Sequence, residues 1–180
     1  MTADLAERAR RVRLLLFDVD GVLTNGKILL HADGTESKQF DIRDGTAIVL
    51  AQRAGLTTAL LSARQSAATA ERAAQLRIPI VRQGAGDKLE TLGEILAIEG
   101  IGEEEVAYMG DDLLDLPVLG RVGLAASPSD AAPEIRERVH WISTRRGGDG
   151  AVRELVELVL KAQGRWETLL STWLEVPSRA

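Results

Sequence analysis

The 180-residue sequence contains no cysteine and no apolar run long enough to cross a membrane or to form the core of a signal peptide. The missing cysteines exclude disulfides and thiolate metal sites, and they fit a reducing compartment. Basic residues number 22 against 27 acidic ones, and the net charge of −5 gives nucleic-acid binding no electrostatic support. These absences favour a soluble cytoplasmic protein that binds neither nucleic acid nor membrane.

The composition is that of an ordinary globular protein, with 45% apolar and 27% charged residues. A chain of this length fits one domain, 1–180. Short β-rich runs alternate with helical patterns, which predicts an α/β fold with a doubly wound parallel sheet and helices on both faces. The strand candidates are 12–18, 57–62, 78–81, 106–111, 122–127 and 140–144; the helical segments lie near 1–12, 44–54, 65–76, 86–98, 112–119, 131–138 and 149–163.

One segment, at about 26–41, breaks this alternation. Two extended runs flank Ala32-Asp33-Gly34, and an Asp-Gly pair is a strong signal for a hairpin turn. We therefore predict a β-hairpin that projects just after the first strand. A purely structural hairpin and a flap over a functional site both fit this position.

Carboxylates follow two of the predicted strands. Asp18 and Asp20 end the run LLLFDVD, and Asp111, Asp112 and Asp115 follow VAYMG. Ligands bind at the carboxyl ends of strands in such sheets, so we expect these side chains at one edge. Close carboxylates repel unless a cation or shifted pKa values compensate, and oxygen ligands alone favour Mg²⁺. One such aspartate would be explained as a helix cap, but five at two strand ends predict a site.

The residue types at this edge suggest phosphoryl transfer. A carboxylate beside Mg²⁺ can attack phosphorus, and a second carboxylate two residues later can protonate the leaving oxygen and then activate water. Ser62 ends the second strand and Lys88 follows the third, where a hydroxyl and an amine can hold phosphoryl oxygens. Either residue alone would be read as an ordinary polar loop residue.

FDVDGVLTNG, LLS ending at Ser62, Lys88 and GDDLLD, in this order, resemble the four motifs of the haloacid dehalogenase superfamily. The resemblance implies that Asp18 is the phosphorylated nucleophile, Asp20 the general acid and base, and Ser62 and Lys88 phosphate ligands. Mg²⁺ would be held by Asp18, the backbone carbonyl of Asp20, and Asp111, with Asp112 and Asp115 in support. Substrate binding is assigned to Gly21, Arg64 and Asp112.

The spacing leaves no room for the cap domain that most members of this superfamily carry. The hairpin, FDIRDGTAI (40–48), YMGDDLLDLPVL (108–119) and RRGGDGAVREL (145–155) resemble the 3-deoxy-D-manno-octulosonate 8-phosphate phosphatase group, over residues 12 to about 163. That resemblance implies a homotetramer acting on an eight-carbon keto-sugar acid phosphate of lipopolysaccharide synthesis. In this group, hairpins and a neighbour's C-terminal tail enclose the site.

Arg64 bears on the choice of substrate. It follows Ser62 by two residues and can pair with a substrate carboxylate. The octulosonate enzymes have arginine here, whereas nine-carbon-acid relatives can have glutamate, so Arg64 favours the eight-carbon substrate. The alternative interpretation is an exposed arginine at a helix start with no role in binding. Ala63 stands where the group usually has glycine, and a positive φ there would strain the loop.

Two C-terminal features each allow two interpretations. In RRGGDG, Asp149 can cap the last helix, or Arg145, Arg146 and the loop amides can approach the substrate. The tail, at about 164–180, contains an apolar stripe that either packs on its own domain or docks on a neighbouring subunit, which we favour. The stripe consists of Trp166, Leu169, Leu170, Trp173 and Leu174.

Other functions remain as alternatives. A phosphatase for a nine-carbon, sialic-type acid 9-phosphate would use the same chemistry, and a catalytically silent oligomerisation module would use the same fold. A signalling receiver domain would lack the acid at Asp20. A phosphomutase would need a cap to exclude water.

Overall fold

The computed structural model describes residues 2–174, and their side chains as far as residue 172. The strands are β1 (Leu14–Phe17), β2 (Leu29–Leu30), β3 (Glu36–Ser37), β4 (Thr57–Leu61), β5 (Ile80–Arg82), β6 (Val106–Met109), β7 (Leu124–Ser127) and β8 (Trp141–Ile142). The helices are α1 (Ala3–Arg11), α2 (Ile42–Arg53), α3 (Ala67–Gln75), α4 (Lys88–Glu99), α5 (Leu116–Leu119), α6 (Pro133–Arg136), α7 (Ala151–Ala162) and α8 (Trp166–Leu174). Short 3₁₀ turns cover Glu103–Glu105 and Leu113–Asp115.

Six strands form one parallel sheet in the order β5-β4-β1-β6-β7-β8. Strand β1 lies in the middle, with Leu14 opposite Thr57 of β4 and Val106 of β6. The strand order reverses at β1, and such a reversal opens a crevice at the carboxyl edge of a doubly wound sheet. Asp18 follows β1 directly and therefore stands at that crevice.

Helices cover both faces of the sheet, as the sequence predicts. Leu15 and Phe17 of β1 point into a core shared with α1, α2 and α7, whereas Leu14 and Leu16 point into a second core shared with α4 and α5. Every side chain of β1 is therefore buried, which accounts for its continuous apolar run. Burial on this scale contributes about 1.5–3 kcal/mol for each large apolar side chain.

The predicted hairpin is present, and we call residues 26–41 the flap. Strands β2 and β3 pair antiparallel, with Leu30 opposite Glu36. Gly34 takes a positive φ in the turn, and the Asp33 carboxylate accepts hydrogen bonds from the amide and hydroxyl of Thr35. Each of these strands has two residues, and within residues 2–174 no third strand joins this small sheet.

The described part of the tail packs on its own chain. Trp166 is buried in the core beside α7, and its ring lies under the cationic groups of Arg153 and Lys161 at 5.2 and 5.3 Å. The prediction that the stripe docks on a neighbouring subunit is therefore wrong for Trp166. The side chains of Trp173 and Leu174, and residues 175–180, lie outside the described residues. Within residues 2–174, no helix combines the length and apolar character needed to span a bilayer.

Candidate active site

The predicted site residues meet in one cleft at the carboxyl edge of the sheet. The cleft has a volume of about 250 Å³, and its lining includes Asp18, Asp20, Ser62, Arg64, Lys88, Asp111 and Asp112. A larger cavity of about 490 Å³ beside Val49 and Arg77 has no carboxylate among its described lining residues. The chemistry of the lining, rather than the volume, marks the first cleft as the candidate site.

Asp18 is held in a fixed orientation at the base of the cleft. One carboxylate oxygen accepts the amide of Val19 at 2.7 Å, and the other lies 3.1 Å from Lys88 Nζ. Burial raises the pKa of Asp18 to about 7, repulsion by Asp115 adds to this, and Lys88 opposes it. The lysine therefore favours the ionised carboxylate that nucleophilic attack needs.

Asp115 organises the charged groups around Asp18. One of its oxygens accepts hydrogen bonds from Lys88 Nζ at 2.7 Å and from the Tyr108 hydroxyl at 2.5 Å. The other accepts the amides of Asp111 and Asp112 at 2.8 and 3.2 Å. Burial alone would lower the pKa of Lys88, but the Asp18 and Asp115 charges reverse this and raise it. Lys88 therefore stays cationic.

Tyr108 is a member of this network that the sequence analysis missed. Its ring belongs to the buried apolar run VAYM of β6, where an aromatic residue is expected for packing alone. The hydroxyl reaches Asp115 only because the 3₁₀ turn Leu113–Asp115 folds back over the end of β6. The sequence around β6 contains no signal that this turn brings Asp115 back to the tyrosine.

The carboxylates meet the requirements of a divalent cation site. Asp18, Asp111 and Asp115 each offer an oxygen within 4.8 Å of the other two. Hydrogen bonds already engage both oxygens of Asp115, whereas Asp111 Oδ1 is buried and meets no hydrogen-bond donor among the described residues. Burial and repulsion by Asp18 and Asp115 raise the pKa of Asp111 to about 8. An ion such as Mg²⁺ would satisfy this oxygen and offset the repulsion.

Gly21 is explained by close packing against Asp111. It has φ +91°, and a Cβ built on it would lie 1.9 Å from Asp111 Oδ2. Only glycine therefore allows the loop after β1 to approach this carboxylate. Its assignment to substrate binding stays a prediction, as does that of Asp112, an exposed residue whose carboxylate accepts the amide of Leu113.

The loop after β4 places Ser62 and Arg64 at the cleft. Ser62 is buried, and its hydroxyl accepts the amide of Arg64 at 3.2 Å. The Arg64 guanidinium is 49% exposed and lies 3.0 Å from Glu36 of the flap. Among the described residues other than glycine, only Arg77 has a positive φ, so Ala63 places no strain on this loop.

The flap also reaches Asp20, a contact that the sequence analysis did not foresee. Lys38, just after β3, donates to both carboxylate oxygens of Asp20 at 2.7 and 2.8 Å. The flap therefore lies beside the site, although a lysine on an exposed limb carries no sequence signal for this contact.

The RRGGDG segment packs against the loop after β1. A Cβ on Gly147 would lie 1.8 Å from the carbonyl oxygen of Gly21, which explains the glycine at this position. The prediction that Asp149 caps the last helix is wrong. Gly150 is the N-cap residue of α7, and Asp44 accepts the amides at this helix start, while Asp149 pairs with Arg43 at 2.7 Å.

Each arginine of this segment pairs with an acidic residue outside the catalytic aspartates. Arg145 lies 3.9 Å from Glu154, and Arg146 lies 3.2 Å from Asp130. Both side chains are more than half exposed. An approach of either one to the substrate stays a prediction.

No model of a protein family matches the sequence. A curated relative from Yersinia pestis, 3-deoxy-D-manno-octulosonate 8-phosphate phosphatase KdsC, is 40% identical over 164 residues, which span 91% of this chain and 88% of the relative. The chain belongs to the 3-deoxy-D-manno-octulosonate 8-phosphate phosphatase family. Identity over nearly the whole of both sequences decides this assignment.

Solved structures agree with this family membership. A hydrolase of the HAD (haloacid dehalogenase) superfamily, subfamily III A, from Legionella pneumophila superimposes with a TM-score of 0.92 at 37% identity, covering 96% of this chain and 94% of that one. The octulosonate 8-phosphate phosphatase of Moraxella catarrhalis, solved with magnesium, phosphate and KDO, gives a TM-score of 0.93 at 35% identity, covering 96% and 99%. The phosphatase family and the superfamily fold are thus both established for this chain.

Proposed function

We propose that this protein is a Mg²⁺-dependent phosphatase that hydrolyses 3-deoxy-D-manno-octulosonate 8-phosphate through an aspartyl phosphate on Asp18. One observation carries the proposal. Asp18 and Asp20, two residues apart, both line the cleft, yet each is held by a lysine of its own, Lys88 or Lys38. Asp18 also faces the charge of Asp115, whereas Asp20 faces a second cation, Arg64, at 3.6 Å, and carboxylates in different charged environments are suited to different roles.

In the first half-reaction, a carboxylate oxygen of Asp18 attacks phosphorus and the bond to the sugar oxygen breaks. Asp20 gives its proton to that leaving oxygen. Lys88 and the Ser62 hydroxyl hold the phosphoryl oxygens, and Asp115 fixes the lysine at 2.7 Å. The products are the free sugar acid and an acyl phosphate on Asp18.

In the second half-reaction, water attacks the phosphorus of the aspartyl phosphate. Asp20, now ionised, removes a proton from this water, and the bond between phosphorus and the Asp18 oxygen breaks. Inorganic phosphate leaves, Asp18 regains its carboxylate, and Asp20 regains the proton that it gave up earlier. The atoms and protons balance over the cycle.

Asp18, Asp111 and the backbone carbonyl of Asp20 would hold the Mg²⁺ ion. When bound, the ion neutralises charge on the phosphoryl oxygens. The unpartnered Asp111 oxygen supports this assignment, because an ionised carboxylate left buried and unpaired is costly.

Arg64 is the residue that we assign to the carboxylate of the sugar acid. Its guanidinium is half exposed at the cleft and lies 3.0 Å from Glu36 and 3.6 Å from Asp20. A planar fork of donors suits a carboxylate. A nine-carbon acid is the less favoured substrate, because the family relatives are octulosonate 8-phosphate phosphatases.

We also infer a cytoplasmic homotetramer in which each chain forms one phosphatase domain. Leu29 and Leu30 of the flap are 62% and 72% exposed, and paired apolar residues on an exposed hairpin are suited to a subunit contact. A monomer in analytical ultracentrifugation would contradict this inference.

The function is tested by measuring phosphate release with Mg²⁺ from octulosonate 8-phosphate, a nine-carbon keto-acid 9-phosphate and hexose phosphates. We expect a strong preference for the first and no turnover by Asp18→Asn. Equal turnover of all three would indicate a general phosphatase. No turnover despite bound Mg²⁺ would favour the silent oligomerisation module.

A further inference from the structure

Lys38 has an environment that is unusual for a lysine on a surface hairpin. Its side chain is fully buried, although its neighbours Ser37 and Gln39 are exposed. Burying an ammonium group is costly unless it is paired. Asp20 supplies that pairing through both carboxylate oxygens, at 2.7 and 2.8 Å.

The contact with Asp20 is not needed to close the hairpin. Lys38 already pairs with Glu36 of the same limb, at 3.7 Å. Its two shorter contacts go to Asp20 in the loop after β1, 18 residues earlier in the chain. Two hydrogen bonds from one ammonium group to both oxygens of a carboxylate hold that group at a fixed distance from Lys38 Nζ.

The two catalytic aspartates thus depend on different parts of the fold. Asp18 is held by Lys88, which begins α4 beneath the sheet edge and is itself anchored by Asp115. The two shortest contacts of Asp20 come from Lys38, which belongs to the flap, and Arg64 of the loop after β4 lies farther away, at 3.6 Å. A movement of the flap would therefore remove the closest partner of the acid and leave that of the nucleophile in place.

We propose that Lys38 is a positioning residue that holds the Asp20 side chain in the cleft, so that its carboxyl group, once protonated, is in place to give the proton to the leaving oxygen. This inference rests on the proposed function, which gives Asp20 that role. Lys38 acts through Asp20, and the flap becomes part of the acid–base machinery rather than only a surface for subunit contact.

The leaving group provides a readout that a purely structural role would not change. A sugar alkoxide needs a proton as it leaves, whereas p-nitrophenolate leaves readily without one. The parameter kcat/KM covers the steps up to phosphoryl transfer, so it reports on the acid. We expect Lys38→Met to lower kcat/KM for octulosonate 8-phosphate about 10- to 100-fold, within the range of acid catalysis, and for p-nitrophenyl phosphate less than about threefold.

Three further variants define the controls. Lys27→Met, on the other limb of the flap, removes an exposed lysine and should leave kcat/KM for both substrates unchanged. Lys38→Arg keeps a cationic donor and should restore part of the alkyl activity even if Lys38→Met folds poorly. In a protein that already carries Asp20→Asn, adding Lys38→Met should lower kcat/KM for octulosonate 8-phosphate by less than about twofold. The group that Lys38 positions is already disabled there.

Equal losses of kcat/KM on both substrates, or full additivity with Asp20→Asn, would overturn the role of Lys38. Ribose 5-phosphate serves as a second alkyl ester. If the unmodified protein hydrolysed this ester but not octulosonate 8-phosphate, the proposed function would fail. The ratio of kcat/KM for ribose 5-phosphate to kcat/KM for p-nitrophenyl phosphate, compared between the unmodified protein and Lys38→Met, would still decide the role of Lys38.

Discussion

Asp115→Asn is the substitution that most sharply tests the network beneath the nucleophile. The side chain keeps its shape, but all four groups that contact the carboxylate are donors: Lys88 Nζ, the Tyr108 hydroxyl, and the amides of Asp111 and Asp112. If the new N–H group faces Asp111 and Asp112, both of their bonds to residue 115 are lost; if it faces Lys88 and Tyr108, the Lys88 bond is lost, because the phenolic oxygen can accept but the ammonium group cannot. One or two hydrogen bonds are therefore lost, and a buried donor is left unsatisfied.

The size of the effect follows from these contacts. A hydrogen bond to a charged group contributes about 1.5–3 kcal/mol, so the loss of one or two costs about 1.5–6 kcal/mol. Removal of the charge also relieves the repulsion that Asp115 exerts on Asp18 and Asp111. We expect a net loss of about 3 kcal/mol in the free energy of unfolding.

Urea unfolding followed by circular dichroism measures this loss, as a midpoint lower by about 1–1.5 M. Asp112→Asn is the matched control, since this exposed neighbour makes one cap bond at 2.7 Å that asparagine can keep. The control should change the free energy of unfolding by less than about 0.5 kcal/mol. An Asp115→Asn protein as stable as the control would refute the role that we give to this carboxylate.

Three other predictions concern the packing, the pH dependence and the specificity of the protein. Gly147→Ala should lower the free energy of unfolding by about 2–3 kcal/mol, because the new Cβ meets the Gly21 carbonyl. Gly93→Ala, in an open part of α4, should raise it by about 0.5–1 kcal/mol. Thermal unfolding of the two variants measures both changes. Burial raises the pKa of Asp44 from 3.8 to about 6, so its contribution to stability is fully present below pH 3.8 and is lost as the pH rises through about 6. Asp44→Asn should remove that slope in unfolding experiments at a series of pH values, and an unchanged slope would disprove the assignment. Arg64→Ala should raise KM for octulosonate 8-phosphate about tenfold, or about 1.4 kcal/mol, without a matching change for p-nitrophenyl phosphate; an equal rise for both would exclude a contact with the substrate carboxylate.

The sheet and the edge that carries the site could be predicted because both depend on local sequence. Apolar runs such as LLLF fix buried strands, and parallel strands bring their carboxyl ends to one edge whatever their order. Asp18, Ser62 and Lys88 could therefore be assigned to one cleft before their distances were known.

The contacts that could not be predicted depend on how distant segments pack. Tyr108 looks like any core residue of a strand, and Lys38 like any solvated residue of a hairpin, until the fold brings each to an aspartate. Likewise, the sequence places Asp149 beside the start of α7, but Asp44, 106 residues before Gly150, supplies the capping carboxylate. Periodicity and turn signals contain no information about such pairings.

The central claim, that phosphate passes through Asp18, is tested most directly by trapping the phosphoenzyme. The protein would be mixed with Mg²⁺ and octulosonate 8-phosphate labelled in the phosphate, quenched in acid within milliseconds, and digested for mass spectrometry. We expect one acyl phosphate on the peptide that contains Asp18, convertible to homoserine by borohydride, and none in Asp18→Asn. Phosphate on another residue, or undiminished turnover by Asp18→Asn, would contradict it.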